Sequence, residues 1–439
     1  MDELKKKVAS FLTQHGMYHG DVDIDQTCSA FLDEMAKGLA GTDSSLAMLP
    51  TYIETEQQLP RNKPVIVMDA GGTNFRVATV CFKDDGQAEI ADFQVQSMPG
   101  IKAEASKKEF FGTMAGYAKD VLGKSDSVGF CFSYPIEMSP NKDGRVLYFS
   151  KEIKAEEVVG KMIGRGLNEA IVETTGTAEK RMVLLNDTVA TLLTGKAFGG
   201  TRDWGGHVGF ILGTGTNTCY VESNSVIGKA PGLDPAHYQV INCESGNFAV
   251  HDRGEADRML GEQTAKPETF WLEKMLSGGY FGALATQLIR LACRQGILGD
   301  RFAGRLDDLG EVSTKDADNY AHNPDDGADN ALVAAMQASG SSDDAERLWF
   351  LMDALLERAA RLTAANLAAS VLKGRSADGA LRPTCLTIDG TTYYRYYRFQ
   401  SRVEHHLRPF LTQRNKYYET VRVEDAPLIG AAVAALTNP

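Results

Sequence analysis

The sequence predicts a two-domain α/β protein built from two similar halves, and three observations support this fold class. The chain has 439 residues, more than one compact domain usually contains. From residue 65 onward, apolar runs typical of strands alternate with helical segments. One design, an apolar strand, a glycine turn and a second strand, occurs at residues 65–82 and again at 208–222. The repetition predicts two halves that face each other across a cleft. The alternative is two unrelated glycine hairpins.

The composition is that of a soluble, folded protein. Hydrophobic residues make up 43% of the chain and charged residues 24%, and no low-complexity tract interrupts it. The net charge of -12 disfavours binding to nucleic acid or to anionic membranes. The N-terminus lacks the apolar core of a signal peptide, and no apolar run approaches the ~18 residues of a membrane span. We therefore expect a cytoplasmic protein without a membrane partner, and both a monomer and a homodimer remain open.

The cysteines and histidines exclude the common metal motifs. The seven cysteines include no CxxC pair, and there is no HExxH motif or Cys/His cluster with zinc spacing. We expect reduced, mostly buried thiols and no protein-ligated transition metal.

Local patterns predict the elements in order. Residues 1–60 show helical periodicity, which ends before Pro60 and Pro64. Strands are expected at 65–68, 77–82, 127–133, 182–185, 208–222 (two strands around a turn) and 384–388, and helices at 107–122, from 188 through 193, 343–372 and 429–436. The stretch 303–345 is polar and rich in Gly, Asp and Ser, and the long helix follows it. The long helix has apolar residues at spacings of three and four, at Leu348, Met352, Leu355, Ala359, Leu362 and Ala369.

The first glycine turn is a candidate phosphate and metal site. Its polar residues and glycines are Asp69, Gly71, Gly72, Thr73, Asn74 and Arg76. The glycines allow positive φ angles and let backbone N–H groups approach an anion. The threonine and asparagine add donors, the arginine adds a cation, and the carboxylate at the strand end can hold magnesium directly or through water. Residues 69–76 are expected to form the turn. The alternative is an ordinary hairpin, in which the glycines only make the turn and bind no phosphate.

A second glycine turn repeats this design. It contains Gly213, Thr214, Gly215 and Thr216, again between two apolar strands. Two such turns in opposing halves can bracket phosphates between them. The GxxxxGK[ST] motif does not occur, which excludes a P-loop kinase.

Seven motifs, in chain order, resemble those of the hexokinases. They are DAGGTNFR at 69–76, FSYP at 132–135, SKE at 150–152, LLNDTVATL at 184–192, LGTGTN at 212–217, INCESG at 241–246 and EKMLSGGYFG at 273–282. The segment at 388–394 is similar to the family's adenosine-side motif, which implies nucleotide contacts at Gly390 and Thr391.

The resemblance implies a two-domain actin-like ATPase (ribonuclease H-like) fold with a sugar-binding cleft between a small and a large α/β domain. The small domain would comprise residues 62–186 plus 427–439, and the large domain residues 1–61 plus 187–426. The implied activity is transfer of the γ-phosphoryl group of MgATP to the 6-hydroxyl of a hexose, with glucose as the expected acceptor. This is the first step of glycolysis. ATP and Mg²⁺ are the implied cofactors, with the two glycine turns around the β- and γ-phosphates and Asp69 on the metal.

Asp187 is the candidate general base. It follows a strand and opens a helix, so an N-cap role is the alternative. The family motif favours the catalytic role, in which the carboxylate accepts the sugar hydroxyl's proton as the oxygen attacks phosphorus. By the same resemblance, Lys151 contacts the sugar and the transferred phosphoryl group, although lysines in such segments are usually surface charges.

The resemblance also implies a polar sugar site. A neutral sugar needs paired donors and acceptors, because each buried hydroxyl left unpaired costs about 1–3 kcal/mol. The implied set is Ser133, Ser150, Lys151, Asn186, Asp187, Asn217, Glu244 and Glu273. For Glu273 the alternative is an exposed charge on a helix.

The sequence departs from the family pattern at four places. Ser150 replaces the usual threonine and keeps the hydroxyl, Tyr134 replaces a phenylalanine, and Phe270 stands where a polar residue such as glutamine is expected. These changes leave glucose, mannose, fructose and glucosamine open as acceptors. Residues 425–432 lack the family's Ser-Gly-(Lys/Arg)-Gly-Ala-Ala run, so no nucleotide contacts are assigned there.

Two other functions are compatible with parts of the pattern. A catalytically silent sugar sensor would have lost the base, the lysine or a glycine turn, yet Asp187, Lys151 and both turns are present. A sugar-independent, actin- or chaperone-like ATPase would share the glycine turns but would have no reason to carry the polar sugar set.

Overall fold

The computed structural model describes residues 3–149, 153–198, 202–250, 252–326 and 329–438. The strands, in chain order, are β1 (Leu49–Pro50), β2 (Val65–Gly71), β3 (Asn74–Phe82), β4 (Ala88–Ser97), β5 (Ser127–Phe132), β6 (Ile136–Met138), β7 (Gly144–Val146), β8 (Arg181–Leu185), β9 (Gly206–Leu212), β10 (Thr216–Ser223), β11 (Tyr238–Asn242), β12 (Thr384–Asp389) and β13 (Tyr418–Val421). The helices are α1 (Glu3–Gln14), α2 (Ile24–Ala40), α3 (Lys107–Ala118), α4 (Ile163–Thr175), α5 (Asp187–Phe198), α6 (Glu255–Gln263), α7 (Trp271–Leu276), α8 (Phe281–Arg294), α9 (Asp300–Leu309), α10 (Thr314–His322), α11 (Ala331–Ser339), α12 (Ser342–Lys373), α13 (Thr391–Arg395), α14 (Phe399–Thr412) and α15 (Ala426–Thr437).

Two mixed sheets repeat one topology. One sheet has the order β4-β3-β2-β5-β8 and the other the order β1-β11-β10-β9-β12-β13. In the first, β2, β3 and β4 form an antiparallel meander, and β5 and β8 continue parallel to β2. In the second, β9, β10 and β11 form the meander, and β12 and β13 continue parallel to β9. The predicted duplication is therefore confirmed, and we call the two parts the small half and the large half.

The first glycine turn is shorter than predicted. The pairing of β2 with β3 continues through Asp69 opposite Arg76 to Gly71 opposite Asn74, so only Gly72 and Thr73 remain as the turn. Gly72 has φ +62°, which favours glycine. The prediction of a turn over 69–76 was wrong because the polar residues at the two strand ends still pair as strand residues between β2 and β3.

Two helices separate the sheets. Helix α5 packs on β9 and β12 of the large half, α15 packs on β2 and β5 of the small half, and the two helices pack on each other. A Cβ atom at Gly430 of α15 would lie 2.1 Å from the carbonyl oxygen of Ala190 in α5. The close crossing therefore requires glycine at this position. It places the N-terminus of α5, and with it Asp187, where the halves meet.

The large half contains the main hydrophobic core. Helix α12 runs through it, and the six apolar residues predicted for its buried face are all buried. The polar stretch 303–345 contains most of α9 together with α10 and α11, none of which its composition indicated. Five of the seven cysteines are buried. Among the described residues, no helix combines the length and the apolarity that crossing a membrane requires.

The predicted domain boundaries stay a prediction. The C-terminal helix α15 contacts the small-half sheet, as a boundary at residue 427 requires, but it also contacts α5. Helices α1 and α2 pack on α12 of the large half, which agrees with placing the N-terminal helices in the large domain.

Candidate active site

Asp69 and Arg76 lie opposite each other on β2 and β3, at the base of the first glycine turn. The guanidinium Nη1 of Arg76 donates to Oδ2 of Asp69 at 3.1 Å. Asp69 is only 3% exposed, and its burial raises the pKa to about 6, which Arg76 opposes and the charge of Asp187 reinforces. Among the described residues, Oδ1 of Asp69 has no hydrogen-bond partner. A buried, unpaired carboxylate oxygen beside this turn fits the predicted role toward hydrated Mg²⁺.

The rest of the first turn presents polar groups outward. Thr73 and Asn74 are exposed, and Gly71 and Gly72 are partly exposed. From the inner side, the Tyr134 hydroxyl donates to the carbonyl oxygen of Gly72 at 2.7 Å. The turn is thus fixed from behind and open in front, which suits a loop that binds a phosphate.

The second glycine turn joins β9 to β10 through Gly213, Thr214 and Gly215. The N–H groups of Gly278 and Gly279 donate to the carbonyl oxygens of Gly213 and Thr214, at 2.8 and 2.9 Å. The Thr392 hydroxyl also donates to the Gly213 carbonyl, at 2.9 Å. These bonds hold the inner side of the turn, while the Thr214 side chain is exposed.

Gly390 and Thr391 lie beside the second turn. Gly390 has φ +108°, and a Cβ atom there would lie 2.2 Å from the carbonyl oxygen of Leu212. Only glycine fits this approach. Thr391 is exposed at the start of α13. The structure therefore brings the predicted adenosine-side segment against the predicted phosphate turn, and the nucleotide roles of these residues stay predictions.

Asp187 opens α5 directly after β8. Its Oδ1 accepts from the Thr188 amide at 2.8 Å, and Oδ1 of Asn186 accepts from the same amide at 2.8 Å. The alternative of a helix-capping role thus has a structural basis, but Asn186 already provides the cap. The charge of Asp187 acts on Asp69 in the small half and on Glu244 in the large half. Asp187 therefore interacts electrostatically with one carboxylate of each half.

Asn217, Asn242 and Glu244 form a hydrogen-bonded group on β10, β11 and the turn after β11. The Asn217 amide donates to Asn242 at 2.7 Å and to Glu244 at 3.3 Å, and the Asn242 amide donates to Glu244 at 2.8 Å. Burial raises the pKa of Glu244, the Asn242 hydrogen bond lowers it, and the charges of Asp187 and Glu273 raise it. Glu244 also has a left-handed backbone, with φ +55°, a conformation that costs a non-glycine residue energy and is frequent at functional sites.

Glu273 is not the exposed helix charge of the alternative interpretation. Its Oε2 accepts from the Thr216 amide at 3.0 Å, directly after the second glycine turn. Burial raises the pKa of Glu273, and the Thr216 hydrogen bond opposes this. One side chain therefore borders both the phosphate turn and the polar group around Glu244.

The remaining sugar-site predictions divide into two groups. Ser133 follows β5, and its amide donates to the carbonyl oxygen of Ala70 at 3.1 Å, which places it beside Asp69 on the neighbouring strand. Ser150 and Lys151 lie outside the described residues, so their predicted roles carry over unchanged.

A metal at this site would rely on few protein ligands. Within the described ranges, no group of three or more His, Cys, Asp or Glu side chains is arranged to hold a metal ion. Magnesium commonly uses one or two carboxylates together with water and substrate phosphates, so Asp69 alone is a sufficient protein ligand for the predicted role.

Comparison with known proteins identifies the family. Two family models described as hexokinase match residues 10–197 and 207–437. The chain is 30% identical to Hexokinase-1 of Nicotiana tabacum over 95% of this chain and 88% of that one. It is 29% identical to Hexokinase-1 of Oryza sativa subsp. japonica over 94% of this chain and 87% of that one. The chain belongs to the hexokinase family. A solved hexokinase from Schistosoma mansoni, complexed with glucose, superposes with a TM-score of 0.77 over 99% of both chains at 24% identity.

Family membership and this superposition confirm the predicted fold class, a two-domain α/β fold of the actin-like ATPase type. Two of the hexokinase motifs, LGTGTN and EKMLSGGYFG, meet the segment at 388–394 at the second glycine turn.

Sequence reasoning missed several residues of this site. Asn242, Gly278, Gly279 and Thr392 each make a hydrogen bond that fixes a predicted residue. The first three lie inside quoted motifs, so their motif position was a usable signal. Thr392 lies inside the segment at 388–394, which was also a signal, but its bond depends on which side of the short helix α13 faces the turn.

Proposed function

We propose that this chain transfers the γ-phosphoryl group of MgATP to the 6-hydroxyl of a hexose, with Asp187 as general base. One observation carries the proposal. Asp187 is the first residue of α5, the helix that packs both on the large-half sheet and on α15 of the small half, and its charge acts on Asp69 beside the first glycine turn and on Glu244 in the polar group of the large half. A base in this position can reach a hydroxyl held on one side and face a phosphate held on the other.

The chemistry follows from this arrangement. The Asp187 carboxylate takes the proton of the 6-hydroxyl while that oxygen bonds to the γ-phosphorus, and the bond from the phosphorus to the bridging oxygen of ADP breaks. The two glycine turns orient the phosphates through backbone N–H groups. When bound, Mg²⁺ neutralises phosphate charge, and Asp69 is the residue that would hold it, directly or through water. Lys151 would contact the transferred group.

The sugar side supports a polyol acceptor. Hydrogen bonds join the side chains of Asn217, Asn242 and Glu244. When a sugar binds, each of its hydroxyl groups can take the place of one of these hydrogen-bond partners. An acceptor that lacks a matching hydroxyl would leave a buried group unpaired, at about 1–3 kcal/mol. We propose glucose as the first acceptor, supported by the glucose complex of the Schistosoma mansoni relative, and with it the first step of glycolysis. A cytoplasmic location is proposed on composition alone.

A coupled assay of ADP release, with ATP and a panel of glucose, mannose, fructose and glucosamine, tests the proposal. Sugar-stimulated ADP release with formation of a 6-phosphate is the expected result. Sugar binding without turnover would instead support the silent sensor, and ADP release that ignores sugar would support a general ATPase. Either of those two results would contradict the proposed function.

A further inference from the structure

Lys266 lies between two aromatic rings. Its ammonium group is 4.8 Å from the centre of the Tyr148 ring and 5.6 Å from the centre of the Phe270 ring. Both distances are within the ~6 Å range of a cation–π interaction. Lys266 is exposed, and Tyr148 remains 40% exposed, so this group of three lies at the surface.

The two rings belong to different halves of the molecule. Tyr148 follows β7, and the next residue, Phe149, packs its ring 5.3 Å from the Tyr134 ring and 5.7 Å from the Phe110 ring. The latter two residues belong to the small-half core. Tyr148 is therefore anchored to the small half.

The lysine and the phenylalanine are anchored to the large half. The buried Lys274 ammonium, on α7, donates to the carbonyl oxygens of Lys266 and Pro267, at 2.7 and 3.0 Å. Phe270 is the residue before α7, whose Leu272 lies in the large-half core. The cation–π contact to Tyr148 thus crosses from one half to the other.

This contact lies at the sugar side of the candidate site. Burial raises the pKa of Tyr148, and the charges of Glu244 and Glu273 raise it further. Phe270 precedes Glu273 by one helical turn and has φ +58°. A bulky residue in the left-handed region is strained, so the ring is held where it is at an energetic cost.

We propose that Tyr148, Lys266 and Phe270 form a clasp that joins the two halves over the sugar site and thereby sets the affinity for the acceptor sugar. The inference rests on the proposed function, because it takes the polar group around Glu244 as the sugar site.

Lys266→Met tests the clasp, because methionine keeps an apolar side chain of similar length and removes the charge. We expect the KM for glucose, and the Kd from calorimetry, to rise about fivefold, as expected for loss of one cation–π interaction. The KM for ATP should stay within about twofold, since the clasp does not contact the glycine turns. Lys266→Arg keeps a cation that stacks on aromatic rings and should restore most of the affinity. Lys5→Met is the matched control, because Lys5 lies 5.7 Å from the Phe350 ring on the large half alone.

A double-mutant cycle makes the test specific to the contact between the halves. Tyr148→Leu and Lys266→Met should each weaken glucose binding, and the double variant should be no weaker than the worse single variant. Additive effects, an unchanged glucose Kd in Lys266→Met, or an equal loss in Lys5→Met would overturn the clasp. Because glucose Kd is measured without turnover, a wild-type protein that binds glucose but forms no 6-phosphate would contradict only the proposed function.

Discussion

Each carboxylate of the candidate site has a different set of partners. Asp69 has an arginine on one oxygen and, within the described part of the chain, no hydrogen-bond partner on the other. Glu244 accepts from two asparagine amides, and Glu273 accepts from the Thr216 backbone amide. Burial raises the pKa of all three. An oxygen without a partner suits a metal or water, and carboxylates held by amides suit the recognition of hydroxyl groups. In the proposed function, the hydrogen-bond partners therefore distinguish Asp69, on the phosphate side, from Glu244 and Glu273, on the sugar side.

Tyr134 gives a prediction at the same scale. Its hydroxyl donates to the Gly72 carbonyl at 2.7 Å, so Tyr134→Phe removes this hydrogen bond behind the first glycine turn and keeps the aromatic ring. We expect the KM for ATP to rise several-fold, equivalent to about 1 kcal/mol, with the KM for glucose nearly unchanged. Steady-state kinetics with each substrate varied in turn measures both.

Tyr320→Phe is the matched control for this prediction. Tyr320 is also fully buried and donates its hydroxyl to a backbone carbonyl, that of Ala345, at 3.1 Å. It lies in the helical core of the large half, so its loss should lower stability without changing either KM. Equal kinetic effects of the two substitutions would show that the Tyr134 hydroxyl acts on stability alone.

At the scale of elements, the crossing of α5 and α15 decides where Asp187 lies. Gly430→Ala would place a methyl group 2.1 Å from the Ala190 carbonyl oxygen, so the helices must move apart. We expect destabilisation of about 2 kcal/mol in denaturant unfolding, although alanine is the better helix former. Turnover should fall as well, because α5 carries the base.

Gly112→Ala separates this effect from helix propensity. Gly112 lies inside α3, and nothing lies within 4 Å of a Cβ atom built there. This substitution should leave the stability unchanged or raise it by about 0.5–1 kcal/mol. If Gly430→Ala behaved like Gly112→Ala, the close crossing of α5 and α15 would be wrong.

Most elements were predictable from sequence, and the failures have local causes. The strands around both glycine turns have clear apolar runs, and α12 has regular apolar spacing. Helices α9 and α10 were missed because their polar, Asp-rich sequences hide a narrow apolar stripe that includes Phe302 and Tyr320. Helix α11 is apolar but short, and the polar residues on both sides of it hide it. The first turn was predicted too long because Asp69 and Arg76 look like loop residues but pair as strand residues.

For the whole molecule, the repeated motif predicted the two halves but not how they join. The duplicated strand–turn–strand pattern corresponds to two sheets of the same topology. The bonds that complete the site join residues far apart in sequence, such as Glu273 to Thr216 over 57 positions and Thr392 to Gly213 over 179. The repeated glycine turn indicated Gly213 and Thr216, and the family motif indicated Glu273, but neither pattern showed which residues pair with which.

The stability of the whole molecule against acid should depend on Glu357. This side chain on α12 accepts from His406 at 2.6 Å and Arg402 at 3.1 Å, both on α14. Burial acts to raise the pKa of Glu357, but these hydrogen bonds lower it to about 2, against about 4.3 in an unfolded chain. The stabilisation is therefore fully present above about pH 4.3 and is lost as the pH falls toward 2.

Glu357→Gln should remove this pH-dependent part. We expect a loss of about 2 kcal/mol at pH 7 and a flatter dependence of the unfolding free energy between pH 5 and pH 3. Glu169→Gln is the control, since Glu169 pairs with Arg165 at the exposed surface and such pairs contribute little. A wild-type pH profile in Glu357→Gln would show that the α12–α14 pairing does not govern acid stability.

The measurement that tests the central claim most directly is phosphoryl transfer by Asp187→Ala, with glucose binding measured in parallel by calorimetry. The account predicts that turnover falls at least about a hundredfold, as expected for loss of a general base, while the glucose Kd changes by less than tenfold. Asp300→Ala, at the first position of α9 and outside the site, should keep full activity. Near-normal turnover by Asp187→Ala would contradict the account, because the proton of the 6-hydroxyl would then be leaving by another route.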